Sequence, residues 1–256
     1  MVNITLLGYG KMGQEIEKVA QEKGHKIVSI IDSNINENQI NKINVFKEIN
    51  QESLKNTEVV IDFTHPSTIL HNINLVLENK KNIVIGTTGW YDHLGEVEAL
   101  VKKSDAGAIW SGNFSIGVNA FFRIIKESAK IFNKIENYDV MGLEIHHKNK
   151  ADSPSGTAKM LSKIIIDNTD KKKNVVYEML ERKINEDEFH FASVRGGSVP
   201  GTHKILFDSN EDTISLEHTA RGRRGFAYGA ILAAEFIQNK KGFYNIDDLM
   251  KNIIEK

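Results

Sequence analysis

A short apolar run, Ile4–Leu7, ends in Gly8-Tyr9-Gly10-Lys11-Met12-Gly13, and residues 12–23 continue at helical spacing with Met12, Ile16, Val19 and Ala20 on one face. Strand, G-x-G-x-x-G and helix in that order restrict the fold sharply. Gly8 permits the tight turn, Gly10 lets the backbone approach a pyrophosphate, and Gly13 allows close packing of helix on strand. The helix start offers unpaired N–H groups and the positive end of its dipole to phosphates. Asp32 ends the next apolar strand, Ile27–Ile31, at the spacing of roughly 20 residues expected for a carboxylate that accepts from an adenosine ribose. Tyr9, Lys11 and Met12 fill the positions between those glycines. Asp32 favours NAD, because a carboxylate repels a 2′-phosphate. Lys11 is a cation within reach of such a phosphate, so NADH and NADPH both stay open.

Val59–Phe63, Ile83–Ile85 and Ala108–Trp110 are further continuous apolar runs, with a helical stretch around Glu96–Val101. Continuous runs suit parallel strands covered on both faces. The alternation predicts an α/β fold, a doubly wound Rossmann-type parallel sheet. After a long helix over 118–132 the pattern changes. Val140–Ile145, Val175–Leu180, Phe189–Val194, His203–Phe207 and Thr213–Glu217 include alternating strands, as expected for a mixed sheet with one open face. Helices over Ala227–Ile237 and Ile246–Ile254 close the chain. The expected division is 1–117 plus 227–256 as a dinucleotide-binding domain, and 118–226 as an α+β substrate-binding and oligomerisation domain.

Lys and Arg total 33 against 34 Asp and Glu, a net charge of −1, which gives no bulk footprint for nucleic acid or an anionic membrane. The absence of cysteine excludes disulfide scaffolds, thiolate metal sites and cysteine nucleophiles. The first residues lack a basic n-region and no apolar run approaches membrane-spanning length, so the expected setting is cytoplasmic.

Three loops follow the carboxyl ends of predicted strands, where ligands of such sheets bind. They are Asp62-Phe63-Thr64-His65-Pro66-Ser67, Gly86-Thr87-Thr88-Gly89 and Ser111-Gly112-Asn113-Phe114-Ser115. Their small and hydroxylated residues suit a carboxamide and a flat ring. In the second half, Glu144-Ile145-His146-His147-Lys148-Asn149-Lys150-Ala151-Asp152-Ser153-Pro154-Ser155-Gly156-Thr157 leaves a strand and starts a helix. Ser153 and Ser155 are N-cap candidates. The N–H groups near Ser155, Gly156 and Thr157 make an anion site, beside which His146, His147 and Lys150 supply cationic donors. That combination fits a small carboxylate and a general acid titrating near neutrality. Adjacent histidines on a strand point to opposite faces, so no metal is expected. Two further polar connections, Arg195–His203 and Glu217–Phe226, carry Arg195, Arg221, Arg223 and Arg224. An arginine cluster of this kind reads equally as surface charge or as an intersubunit contact.

Taken together, the His-His-x-x-Lys segment with Pro154-Ser155-Gly156-Thr157, the Asp62-Phe63-Thr64 and Gly86-Thr87-Thr88-Gly89 loops, Asn113-Phe114-Ser115-Ile116-Gly117-Val118-Asn119, and Arg195-x-Gly197-x-x-x-Gly201-x-His203 resemble the 4-hydroxy-tetrahydrodipicolinate reductase (dihydrodipicolinate reductase) family of the diaminopimelate route to lysine. The resemblance implies His146 as the acid/base residue and Lys150 as the catalytic lysine. It also implies His147, Gly156 and Thr157 at the substrate, and Gly8 to Gly13, Asp32, Gly86, Thr87, Thr88, Ser111, Gly112, Asn113 and Phe114 around NADH or NADPH. A homotetramer built through the second domain's sheet is implied as well. Lys11 and Ser33 stand where many members have arginine, which bears on the choice of cofactor. The implied reaction is hydride transfer to a cyclic, conjugated dicarboxylate imine, with domain closure bringing the reacting atoms to about 3–3.5 Å. Hinges are expected near residues 115–120 and 222–228. The alternatives are another two-domain oxidoreductase, which has no need of His-His-x-x-Lys, and a non-catalytic dinucleotide sensor, which has no need of the cationic pocket.

Overall fold

The computed structural model describes residues 1–35 and 39–255. They form two units, Met1–Ile116 with Arg223–Lys256, and Gly117–Gly222. The second boundary falls at 222/223 rather than 226/227 because the helix there starts at Arg224.

In the first unit, β1 (Asn3–Leu7), α1 (Lys11–Glu22) and β2 (Lys26–Ile31) follow in order. A hairpin of β3 (Gln39–Ile40) and β4 (Ile43–Phe46) comes next, turning through Asn41 and Lys42, both at positive φ. The chain continues through β5 (Val59–Asp62), α2 (Ile69–Glu78), β6 (Asn82–Ile85), α3 (Leu94–Lys103) and β7 (Gly107–Trp110). From α4 (Ile116–Asn133), whose first residue still belongs to the first unit, the second unit continues through β8 (Asp139–His146), α5 (Gly156–Asn168), β9 (Asn174–Val176), β10 (Glu188–Arg195), β11 (Thr202–Asp208) and β12 (Thr213–Thr219). The chain then returns to the first unit with α6 (Arg224–Ile237), β13 (Gly242–Asn245) and α7 (Ile246–Ile254).

The first sheet runs β13-β7-β6-β5-β1-β2-β4-β3. All its ladders are parallel except β3–β4. The order reverses between β5 and β2 around β1, so the ends of β1, β2 and β5 surround a switch point, where ligands of open α/β sheets bind. β1, β5 and β6 are buried almost throughout because helices cover both faces. On one face Ile16, Val19 and Ala20 of α1 join Ala230, Ile231 and Ala234 of α6. On the other, Ile69, Ile73, Val76 and Leu77 of α2 join Val97 and Val101 of α3.

The second sheet is β12-β11-β8-β10-β9. Its β8 alternates strictly, with Val140, Gly142, Glu144 and His146 buried and Met141 exposed. The covered face packs Phe189, Phe191, Ile205 and Phe207 against Phe121 and Ile125 of α4 and Leu161 and Ile165 of α5. The α/β sheet with a second mixed sheet is as the sequence pattern predicts. The expected strand Val175–Leu180 shortens to Asn174–Val176, where pairing with Glu188–His190 ends. No described helix is long and apolar enough to cross a membrane.

Candidate active site

The glycine loop has the expected geometry. Gly8 sits at φ +89°, and a Cβ there would lie 2.5 Å from the Phe63 carbonyl oxygen. A Cβ on Gly13 would lie 2.4 Å from the carbonyl oxygen of Gly8, so both positions require glycine. Gly10 differs: nothing stands within 4 Å of its missing Cβ. Gly10 is also the N-cap of α1, without a side-chain cap or an acidic residue in the first turn. The first-turn amides therefore have no side-chain cap, and a glycine loop that opens a helix in this way fits a dinucleotide. Lys11 is exposed and Met12 half-buried beside them. Asp32 follows β2 and is half-buried, accepting from the Tyr9 amide at 2.8 Å and the Asn34 amide at 2.9 Å. The Tyr9 hydroxyl donates to buried Glu17, which also takes Asn41 Nδ2 at 2.9 Å, so the loop is tied to the β3–β4 hairpin.

Buried Asp62 organises the next two loops. Its Oδ1 accepts from the Thr64 amide (2.9 Å), the Thr64 hydroxyl (2.8 Å) and the Thr87 hydroxyl (2.7 Å), and its Oδ2 from Asn72 (3.0 Å). Burial pushes its carboxyl upward, against those hydrogen bonds. The Phe63 ring fills the space where a Gly86 side chain would be, 2.2 Å from the ideal Cβ. Trp90 Nε1 donates to the Thr87 carbonyl at 2.9 Å, while Thr88 stays exposed. In the third loop the Ser111 hydroxyl donates to the Asn113 carbonyl at 2.9 Å and accepts from the Asn113 amide at 3.0 Å. Gly112 is exposed beside the Tyr91 hydroxyl, and Phe114 is buried. The three loops lie at the carboxyl ends of β5, β6 and β7.

In the second unit, β8 delivers His146 as its last residue. The chain then turns: the His147 amide donates to the Val199 carbonyl (2.8 Å), the Gly196 amide to the His146 carbonyl (2.9 Å), and the Lys150 amide to the His147 carbonyl (3.1 Å). The glycine-rich Arg195–Gly201 connection thus seats the His-His-Lys segment. Lys150 Nζ is 2.7 Å from Asp152 Oδ1, and that contact first of all lowers the Asp152 carboxyl. Ser155 caps α5, accepting from the Ala158 amide at 3.1 Å. The first-turn amides of Gly156 and Thr157 point beyond the helix, as such amides do.

Two of the expected site residues have local partners that bear on their roles. Ser155 is buried, its amide donates to Glu144 Oε1 at 3.0 Å and its hydroxyl to Glu144 Oε2, so it has no donor left for a substrate anion. Nor does His146 titrate near neutrality. Burial pushes it down to about 4, with Glu144 opposing and His203, Lys150 and Arg195 adding to the fall. The unfolded chain therefore binds this proton first, at its ordinary value near 6.5. Stability due to neutral His146 is whole above about pH 6.5 and is lost as pH falls toward 4, about 3 kcal/mol in all. Urea unfolding of wild type and His146→Gln across that range is expected to show the wild type losing this much relative to the variant. Parallel losses in both would remove the assignment.

Glu144, Ser193, Arg195 and His203 also belong to this region. Glu144 is completely buried and takes Arg195 Nη2 at 2.7 Å and the Ser193 hydroxyl at 2.9 Å. Their signal is the period of two: Glu144 with His146, and Ser193 with Arg195, share the covered face of adjacent strands. Glu144, His146 and His203 are the one trio among the described residues whose donor atoms lie within 4.8 Å of one another. Arg195 already supplies the countercharge, and no metal is assigned. Arg224 pairs with Glu22 of α1 at an exposed position, a contact of little energetic weight.

The models for the N-terminal and C-terminal parts of dihydrodipicolinate reductase match residues 2–114 and 117–250. The chain belongs to the dihydrodipicolinate reductase family. It is 36% identical over 254 residues to a 4-hydroxy-tetrahydrodipicolinate reductase of Christiangramia forsetii, covering 99% of this chain and 100% of the relative. A reductase of the same name from Rickettsia bellii is 35% identical over 258 residues, covering 99% and 96%. A dipicolinate-bound dihydrodipicolinate reductase from Paenisporosarcina sp. TG-14 superposes with a TM-score of 0.79 at 27% identity, covering 96% of this chain and 97% of that one. An amine dehydrogenase from Mycobacterium smegmatis, at 11% identity and a TM-score of 0.61, shares the fold. The resemblance drawn from the sequence motifs is borne out, and with it the class of activity, an NAD(P)H-dependent oxidoreductase.

Proposed function

We propose that this protein reduces 4-hydroxy-tetrahydrodipicolinate to tetrahydrodipicolinate in the diaminopimelate route to lysine, with NADH or NADPH as reductant. The observation that supports this reading is the packing of the 146–157 segment around Glu144: His146 ends β8 facing that carboxylate, Ser155 at the start of α5 donates to it, and Arg195 ties it to the Asp152 carbonyl, on a chain whose other unit holds the glycine loop. The cationic side chains and first-turn amides of that segment suit a ring bearing two carboxylates.

When bound, the reduced nicotinamide supplies the hydride. Gly8, Tyr9, Gly10, Lys11, Met12, Gly13 and Asp32 hold the adenosine and pyrophosphate part. Gly86, Thr87, Thr88, Ser111, Gly112, Asn113 and Phe114 hold the nicotinamide end. Lys150, His147, Gly156 and Thr157 bind the substrate carboxylates. Lys150 exchanges its partner Asp152 for a substrate carboxylate. The 4-hydroxyl leaves as water together with a neighbouring ring hydrogen, which gives the conjugated imine; once hydride adds to that system, His146 gives the proton to the carbon next to the hydride acceptor. The dianionic substrate beside His146 favours its charged form, so binding draws a proton onto a ring that burial otherwise keeps neutral.

Lys150→Ala is expected to raise KM for the substrate about 30-fold, the worth of one charge-assisted contact, with dinucleotide affinity unchanged. Steady-state kinetics at varied substrate, with dinucleotide titration followed by fluorescence, measures both. An unchanged KM removes Lys150 from the carboxylate site. The function as a whole is tested with freshly generated 4-hydroxy-tetrahydrodipicolinate and NADH or NADPH in parallel, followed at the nicotinamide absorbance. Turnover with either supports it; binding of dinucleotide without oxidation overturns it.

We also infer a cytoplasmic homotetramer. The face of the second sheet away from α4 and α5 presents Met141 and Val194 exposed, with Leu143, Ile145 and Leu206 half-buried. An apolar sheet face of this kind suits burial against copies of itself.

A further inference from the structure

Three strands carry polar side chains to one end of the covered face of the second sheet. Glu144 and His146 stand two residues apart on β8. Register sets Ser193 beside Glu144 and Arg195 beside His146 from β10, and His203 beside Glu144 from β11. Every one of these neighbours reaches the same carboxylate. Oε1 of Glu144 accepts from Arg195 Nη2 (2.7 Å), the Ser193 hydroxyl (2.9 Å) and the Ser155 amide (3.0 Å). Oε2 accepts from the Ser155 hydroxyl and faces His203 Nε2 at 3.2 Å and His146 Nδ1 at 3.5 Å. Burial opposes the charge on Glu144, but hydrogen bonds from His203, Ser155 and Arg195 outweigh it and hold the carboxyl well below the usual range. Arg195 Nη2 also donates to the Asp152 carbonyl at 2.7 Å, which ties in the segment carrying Lys150.

We propose that Glu144 is a positioning residue of this site: without touching substrate, its carboxylate decides which ring nitrogen of His146 carries hydrogen and fixes the first turn of α5 through Ser155. The reading rests on His146 being the proton donor. Nδ1 of His146 is enclosed without a formed hydrogen bond, and it faces the charged Oε2 of Glu144 at 3.5 Å. A neutral imidazole has one N–H, and the anion draws it to Nδ1. Nε2 is then the nitrogen that takes up and releases the catalytic proton. It lies on the side of Gly201, where an ideal Cβ would stand 2.9 Å from it, so glycine at 201 keeps that side clear. At 3.5 Å the contact from Glu144 to Nδ1 is longer than a formed hydrogen bond, and catalytic contacts of this kind tighten in the reacting complex. The charges facing His146 are Glu144 on its own strand, Arg195 from β10, His203 from β11 and Lys150 from the following loop. Glu144 is the one anion among them.

The experiment uses full-length protein labelled with 15N-histidine, with the His146 ring signals assigned by their loss in His146→Gln. The share of the Nε2–H tautomer is expected to rise from wild type through Glu144→Asp to Glu144→Gln. The His146 titration midpoint is expected to fall further in Glu144→Gln. In the same variant kcat drops at least tenfold, KM for dinucleotide stays within twofold, and the alkaline limb of the kcat profile moves about one unit to lower pH. A folded Glu144→Gln with unchanged His146 tautomer and midpoint overturns the proposal. If the glutamine variant does not fold, Glu144→Asp decides alone: an unshifted tautomer balance overturns it, and a partial shift supports it. Should His146→Gln retain full turnover while the tautomer still follows Glu144, the proton-donor reading fails and the grip of Glu144 on the ring stands.

Discussion

Replacing His146 by glutamine is expected to lower kcat by about three orders of magnitude, within the range that general acid catalysis contributes, while the protein stays folded. Glutamine is close in size and hydrogen-bonds, but it releases no proton at any pH the enzyme meets. The carboxylate of Glu144 keeps its bonds to Arg195, Ser193 and Ser155 in the variant, so the start of α5 and the Gly156 and Thr157 amides stay in place. KM for substrate is therefore expected to move only a few-fold, and dinucleotide binding not at all, because the residues proposed to hold it lie in the other unit. A loss in kcat with KM preserved identifies a group that acts in the transition state. Steady-state kinetics beside circular dichroism reads this directly; kcat within fivefold of wild type ends the acid role. Losing a buried imidazole that resists protonation also makes the variant more tolerant of acid than the wild type. One substitution thus separates a catalytic from a structural histidine by two measurements that move in opposite directions.

Much of this was legible before any coordinates. The glycine loop and the continuous apolar runs dictate the parallel sheet, because only strands buried on both faces tolerate such runs. The segment from His146 to Thr157 suggests the proposed anion site because a cap and small residues open a helix close in sequence to cationic side chains. The elements that escape do so for physical reasons. β13 has four residues, Gly-Phe-Tyr-Asn, all half-buried, and exists only because β7 offers it a parallel edge. The β3–β4 hairpin turns through Asn41 and Lys42 at positive φ, and a lysine there is no turn signal. By contrast α2 carries Ile69, Ile73, Val76 and Leu77 at helical spacing, a pattern that a strand-by-strand reading passes over. The titration of His146 and the internal use of Ser155 lie beyond sequence, since both depend on how Glu144, Arg195 and His203 meet across three strands. Local pattern specifies the donors; register decides which of them are already engaged.

The other large effect is expected from a single methyl group. Gly229 lies within α6, and an ideal Cβ there would be 1.7 Å from the carbonyl oxygen of Phe114 and 2.8 Å from its carbon. Neither contact yields by a side-chain rotation, since both atoms are backbone. In an exposed helix, Gly to Ala stabilises, but here the helix or the Ser111–Ser115 loop must move. α6 cannot withdraw cheaply, because Ala230, Ile231, Ala233 and Ala234 are fully buried in the core of the first unit. Gly229→Ala is expected to cost about 4 kcal/mol, at the upper end for overpacking. That corresponds to a fall of about 8–16 °C in Tm for a chain of this size. Displacing Phe114 also disturbs the loop assigned to the nicotinamide end, so folded variant is expected to bind dinucleotide more weakly than wild type. Gly95→Ala is the matched control: Gly95 is in α3 with nothing within 4 Å of its missing Cβ, and alanine there should raise stability by about 0.5 kcal/mol. Thermal melts of the two variants, read side by side, decide the matter. A Tm for Gly229→Ala within 2 °C of wild type would mean that α6 does not approach the Phe114 backbone as closely as described.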